Sequence, residues 1–145
     1  MENIFHAEKE DIPEIYRLYT KETNLGHDFE PILHKIKDFY DYLKNKQSIL
    51  LVYKIEGEVA GFTLLYDMIS WGYLDIICIN KKYRNKGIAS KLIEHALDIR
   101  HEAWESLEAC YFEGDNGVES FFKKNNFTLN KKPTIWVAKD TKKSK

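Results

Sequence analysis

Between Ile79 and Leu92 the chain reads Ile-Asn-Lys-Lys-Tyr-Arg-Asn-Lys-Gly-Ile-Ala-Ser-Lys-Leu. A β-rich run from Trp71 ends at Ile79, a basic turn follows, and the clearest helical pattern of the chain opens at Gly87. That pattern extends to about Trp104, with Ile88, Ala89, Leu92, Ile93, Ala96 and Leu97 on one stripe. Leu107 to Phe112 then reads as a buried strand. A strand–helix–strand crossover requires a parallel pair with a helix on one sheet face, which excludes all-α and purely antiparallel folds. The turn has a chemistry of its own. A chain delivered by a strand to a helix start presents unsatisfied N–H groups at the positive end of the helix dipole, and such a turn can hold a phosphate. Gly87 and Ala89 are small enough for an anion to approach the backbone, and Lys81, Lys82, Arg84 and Lys86 add positive charge. Neither G-x-x-x-x-G-K-[ST] nor G-x-G-x-x-G is present, so a P-loop and a dinucleotide fold are not expected.

The elements around this turn can be read in order. Asn3 to Ala7 reads as a first strand. Asp11-Ile-Pro13-Glu14 reads as a helix start, with Asp11 as cap, Pro13 in the first turn and Glu14 reaching back as a capping box. That helix should fade near Thr23 to Gly26. A second helix is expected within Pro31 to Lys46, where Ile32, Leu33, Ile36, Phe39, Tyr40 and Leu43 fit one face. Ser48 to Ile55 and Val59 to Tyr66 form a hairpin around Glu56-Gly57-Glu58. After the crossover come a loop over Glu113 to Gly117, a short helix over Val118 to Asn125, and two last strands, Phe127 to Leu129 and Thr134 to Ala138. The order is β-α-α-β-β-β-α-β-α-β-β. It predicts an α+β fold with a mixed sheet of about seven strands and about four helices on its faces.

At 145 residues a single domain spanning 1–145 is expected. A net charge of −1 gives no reason to expect a nucleic-acid partner, and the basic tail after Ala138 reads as a frayed terminus. Cys78 and Cys110 sit in apolar runs without nearby ligands at metal spacing, so both read as core thiols and no metal is expected. No signal peptide or transmembrane-length run is visible, so no membrane partner and a cytoplasmic location are expected.

Arg84-Asn-Lys-Gly87-Ile-Ala89 satisfies the pattern [Gln/Arg]-x-x-Gly-x-[Gly/Ala], placed after a β-rich run and opening a helix. In motif and in element order the chain resembles the GNAT superfamily of N-acetyltransferases over nearly its whole length. The resemblance implies that Arg84, Asn85, Lys86, Gly87, Ile88 and Ala89 cradle the pyrophosphate of acetyl-CoA, with Ser90 adjacent. It implies that the strand edge from Ile77 to Ile79 pairs with the pantetheine amides. A second family pattern is similar to Asp115-Asn-Gly-Val118-Glu-Ser-Phe-Phe122-Lys-Lys-Asn-Asn126-Phe127. There Asn116 would stand near the usual Asn with a one-residue shift, and Asn126 replaces a Gly. Phe122 lies where many members carry a Tyr that protonates the departing thiolate, and Phe has no proton to give.

Acetyl transfer to an amine needs a neutral amine, a donor for the carbonyl oxygen and a proton for the leaving thiolate. The resemblance implies direct transfer without a covalent enzyme intermediate, so neither cysteine is nominated as a nucleophile. A backbone N–H near Cys78 is the expected oxyanion donor. Asp75, in Tyr73-Leu-Asp75, reads either as the base or as a structural carboxylate paired with backbone or a tyrosine. Tyr73 shares its face if the strand is regular, an inference that a bulge would break. His27, Asp28 and Glu30 lie in the loop that borders the acceptor site in the family; they read either as a solvated loop or as substrate contacts whose acidity would favour a cationic amine. His34, His95 and His101 read as weaker candidates. The implied reaction moves an acetyl group from acetyl-CoA to a primary amine, on a small molecule or a protein. The alternatives are an acyl-CoA-binding module without turnover and a modifier of a macromolecule. A homodimer is common in the family, though no residue specifies it.

Overall fold

The computed structural model describes residues 3–23, 34–100, 102, 104–109 and 116–127, with the backbone alone at 116–119. The elements are β1 (Ile4–His6), α1 (Ile12–Thr23), α2 (Ile36–Lys44), β2 (Ser48–Ile55), β3 (Glu58–Asp67), β4 (Gly72–Ile79), α3 (Ile88–Ile99), β5 (Leu107–Ala109) and α4 (Asn116–Lys124). Short 3-10 turns, Lys9–Asp11 and Lys81–Tyr83, precede α1 and α3. The expected order holds through α4. The described sheet has five strands in the order β1-β2-β3-β4-β5. The last two expected strands lie, apart from Phe127, outside the described residues.

β1 to β4 pair antiparallel. The Gly72 N–H, at the start of β4, donates to the carbonyl of Ser106, just before β5 (3.0 Å). The two strands therefore begin at the same end and run parallel, as the crossover requires. The sheet is mixed and the fold is α+β. No described helix is long and apolar enough to cross a membrane.

Alternation along the strands sorts the core into two layers. Leu50, Val52, Phe62, Leu64 and Cys78 pack with Ile12, Ile15, Leu18 and Tyr19 of α1 and Phe39 of α2. Leu51, Thr63, Leu65 and Leu74 are buried at the opposite phase, the side available to the apolar stripe Ile88, Leu92, Ile93 and Ala96 of α3. The Thr63 hydroxyl, fully buried, donates to the Ile76 carbonyl at 2.8 Å.

The first helix starts otherwise than expected. Asp11 ends the 3-10 turn, and its carboxylate accepts the Glu8 N–H (2.8 Å) and the Lys54 ammonium (2.8 Å). Glu14 does not reach back; it accepts the Val59 N–H of β3 at 3.1 Å. A tertiary donor on the adjacent hairpin displaced the local one.

By backbone contacts the chain divides into two compact units, Met1–Glu108 and Ala109–Lys145. In the second, Phe122 of α4 is buried with its ring 5.4 Å from Phe121 and 4.9 Å from Phe127, which fits core packing.

Candidate active site

β4 ends at Ile79, and Asn80 turns the chain, its side-chain oxygen accepting the Lys82 N–H at 3.0 Å. Asn85 (φ 65°) and Gly87 (φ 79°) are both left-handed, so the backbone folds into a concavity before α3. Gly87 caps the helix without any side-chain oxygen, and the first bond of the new helix runs from the Lys91 N–H to the Gly87 carbonyl (3.0 Å). Among the described residues nothing accepts the N–H groups of Asn85, Lys86, Gly87, Ile88, Ala89 or Ser90. A Cβ built on Gly87 meets no atom within 4 Å, so the concavity faces open space. Lys86 is exposed and Ile88 is buried in the core.

Arg84 holds the turn in place. Its guanidinium donates to Glu22 Oε1 at 2.6 Å and its Nε to the Ile79 carbonyl at 3.1 Å. The Glu22 carboxylate is 2% exposed and also accepts the Lys81 N–H at 3.3 Å. The Arg84 charge is therefore matched by a buried carboxylate at the end of α1, and the unmatched charge of the turn lies on its lysines.

The outer edge of β4 follows from the ladder. The Asn80 N–H donates to the Ala60 carbonyl (2.8 Å), so that pair is bonded. By alternation Phe62/Cys78 is bonded too, while Ile77 and Ile79 turn their N–H groups away from β3. The outward-facing N–H groups beside Cys78 are thus those of Ile77 and Ile79. The Cys78 thiol is buried 3.6 Å from the Leu18 carbonyl, and burial, with the charge of Glu22, pushes it up to about 12.

Leu64 opposes Ile76 and Leu65 opposes Leu74, which leaves Asp75 as the extra residue of a β-bulge. Strict alternation fails here, yet Tyr73 and Asp75 still share a side. Tyr73 pairs with Tyr66, and the Tyr66 hydroxyl reaches Asp75 Oδ2 at 2.9 Å. The same oxygen lies 3.3 Å from His34 Nε2, and His34 Nδ1 lies 2.7 Å from the Tyr42 hydroxyl. The backbone of His34 is fixed as well, its N–H donating to the Tyr19 hydroxyl and its carbonyl accepting from Tyr16, both at 3.3 Å. Burial, then the facing Asp75 charge, raises the Tyr66 hydroxyl above its ordinary value, and Tyr42 is raised chiefly by burial. Both phenols stay protonated.

Asp75 thus has the tyrosine partner of its structural reading and a histidine besides. Sequence reasoning missed Glu22, Tyr42 and Tyr66 and gave His34 little weight; none lies in a local pattern that marks it. His27, Asp28 and Glu30 lie outside the described residues, as does the Asn116 side chain.

The sequence matches the Acetyltransferase (GNAT) family over residues 12–127. No match is found among curated protein sequences. Among solved structures, a mutant of the BH1408 protein from Bacillus halodurans is similar at TM-score 0.80 and 16% identity, covering 90% of this chain and 96% of that one. The aminoglycoside antibiotic 6'-N-acetyltransferase AAC(6')-IG from Acinetobacter haemolyticus follows at TM-score 0.76 and 13% identity, covering 90% and 94%. The aminoglycoside N-acetyltransferase AAC(6')-Iy, solved in complex with CoA, is similar at TM-score 0.73 and 12% identity, covering 89% and 93%. At these identities the likeness speaks to the fold, and the family match carries the assignment. The chain belongs to the GNAT family of acetyltransferases.

Proposed function

We propose that this chain transfers an acetyl group from acetyl-CoA to a primary amine by direct attack in a ternary complex, the acceptor being a small molecule or a protein amine. The observation that carries the reading is the run of N–H groups from Asn85 to Ser90 at the start of α3 that have no acceptor among the described residues. Such a run stabilises a pyrophosphate through aligned donors and the helix dipole. A similar fold solved with CoA, AAC(6')-Iy, supports the choice of ligand. The matched span 12–127 crosses both compact units, and we read them as one domain.

In this reading Ile77 and Ile79 offer their outward backbone groups to the pantetheine arm. The Ile77 N–H, in place of the expected Cys78 N–H, donates to the acetyl oxygen as negative charge builds on it. The bound thioester supplies the acetyl group. Asp75, with its Oδ2 held by Tyr66 and His34, attracts the cationic amine. The amine nitrogen attacks the carbonyl carbon and the C–S bond breaks. Phe122 cannot protonate the thiolate, so water or another acid does so.

The test is a thermal melt with acetyl-CoA. At 100 times the Kd, binding adds about 2.7 kcal/mol to the folded state. Gly87→Glu should abolish the shift by placing a carboxylate in the concavity. No shift in the native protein overturns the reading. The missing hydroxyl of Phe122 favours a second reading, an acyl-CoA-binding module without turnover. CoA release across a panel of amines separates the two.

A further inference from the structure

Asp75 Oδ2 accepts from Tyr66 Oη at 2.9 Å and lies 3.3 Å from His34 Nε2. A carboxylate has only lone pairs to present, so its place beside Nε2 favours the tautomer with the proton on Nε2 and Nδ1 as acceptor. The Tyr42 hydroxyl 2.7 Å away must then be the donor to Nδ1. The tautomer, the direction of each bond and the ring orientation are fixed together.

This arrangement stores a proton better than a carboxylate would alone. By ordinary values a free imidazole binds a proton roughly 400-fold more tightly than a free aspartate carboxylate. An amine arrives as an ammonium and must lose a proton before it attacks. We propose that His34, through the hydroxyl of Tyr42, takes that proton, with Asp75 as the counter-charge. The proposal rests on the acetyl-transfer reading above. The ammonium N–H bond breaks and its proton joins Tyr42 Oη. In the same step the Tyr42 proton moves to His34 Nδ1. The products are a neutral amine, an intact Tyr42 hydroxyl and an imidazolium paired with the Asp75 carboxylate. The acceptor class is a protonated primary amine. Among the described residues, the titratable side chains around His34 are Tyr16 and Tyr19 from α1, Tyr42 from α2 and Asp75 from β4, with Tyr66 of β3 bonded to that carboxylate. Asp38 and Asp41 of α2 act on Tyr42 by their charge. Among the described residues no cation faces this group.

Two measurements test it. Nitrogen NMR of the intact native protein should show His34 as the Nε2–H tautomer near neutral pH, and an Nδ1–H tautomer overturns the proposal. In turnover assays with amines of different basicity, the native protein should show an acidic limb in kcat/KM whose midpoint does not move with the amine. His34→Gln should remove that limb and lower kcat by roughly 100-fold, the low end of general-base contributions. Tyr42→Phe, the variant less prone to disturb folding, should lower kcat by at least about tenfold with KM changed less than about threefold. Both variants should keep the acetyl-CoA melt shift. Native turnover with kcat and acidic limb unchanged in both variants overturns the relay alone. Absence of any acetyl-CoA shift or turnover in the native protein overturns the functional reading and the relay with it.

Discussion

Arg84 and Glu22, 62 residues apart in the chain, meet at 2.6 Å and tie the turn before α3 to the end of α1. The arrangement is one-sided: Glu22 is nearly inaccessible, while the Arg84 side chain is 44% exposed. Removing the carboxylate charge leaves a guanidinium that water can still solvate, so the cost is smaller than for a fully buried pair. Glu22→Gln should lower stability by about 1–2 kcal/mol in urea unfolding. It should also shrink the acetyl-CoA melt shift by more than half, because Lys81 and Arg84 lose the anchor that shapes the turn. An unchanged urea midpoint together with an unchanged shift would show that the ion pair positions nothing.

Two glycines separate backbone cost from ligand effect. Gly57 (φ 83°) in the β2–β3 hairpin and Gly87 (φ 79°) both have room for a Cβ and both are left-handed. Alanine at either should cost about 1 kcal/mol from the left-handed backbone alone. The acetyl-CoA shift should survive Gly57→Ala unchanged and fall in Gly87→Ala, whose methyl group projects into the concavity. Equal shifts in the two variants would move the ligand elsewhere.

The parts of this molecule that the sequence revealed are those encoded by neighbours. The β4–turn–α3 unit is readable from Trp71 to Leu97 because apolar period, basic turn and Gly87 all lie within one contiguous segment. The β2–β3 hairpin is readable for the same reason. The Asp75 bulge is not, since no glycine marks it and only the shift from Leu64/Ile76 to Leu65/Leu74 exposes it. His34 gains its meaning only when Asp75 and Tyr42 are brought to its two ring nitrogens. Glu14 illustrates the converse: a sound local signal for a capping box lost to a backbone donor on β3.

The start of β4 offers a packing test. A Cβ on Gly72 would lie 2.4–2.8 Å from three ring atoms of Trp104. The indole cannot swing aside freely, because its Nε1–H donates to Asp67 Oδ1 at 2.7 Å and the ring is 4% exposed. Gly72→Ala should therefore cost about 2–3 kcal/mol, in the range of core overpacking. Reducing the ring with Trp104→Phe in the same chain should recover part of that loss, beyond the sum of the single changes. Strict additivity in the double-mutant cycle would mean that ring and methyl group do not meet.

Cys78 makes a claim that chemistry can check. Its thiol is pushed up to about 12 from an ordinary 9.0, by burial first and by the charge of Glu22 second. At pH 8 the folded protein should hold roughly a thousandfold less Cys78 thiolate than an unfolded chain. In a Cys110→Ser background, a disulfide reagent should label Cys78 only as fast as the protein opens, and at once in denaturant. The sign for stability follows from the same shift. Between about pH 9 and 12 the folded state keeps a proton that the unfolded chain releases, so stability falls as pH rises through that window. The thiol contributes at most about 1.4 kcal/mol of that fall per pH unit. Cys78→Ala, though less stable at neutral pH for its lost packing, should therefore show a shallower decline above pH 9 than the native chain. Parallel curves, or fast labelling of the folded protein at pH 8, would place the thiol in contact with water and remove burial as the cause.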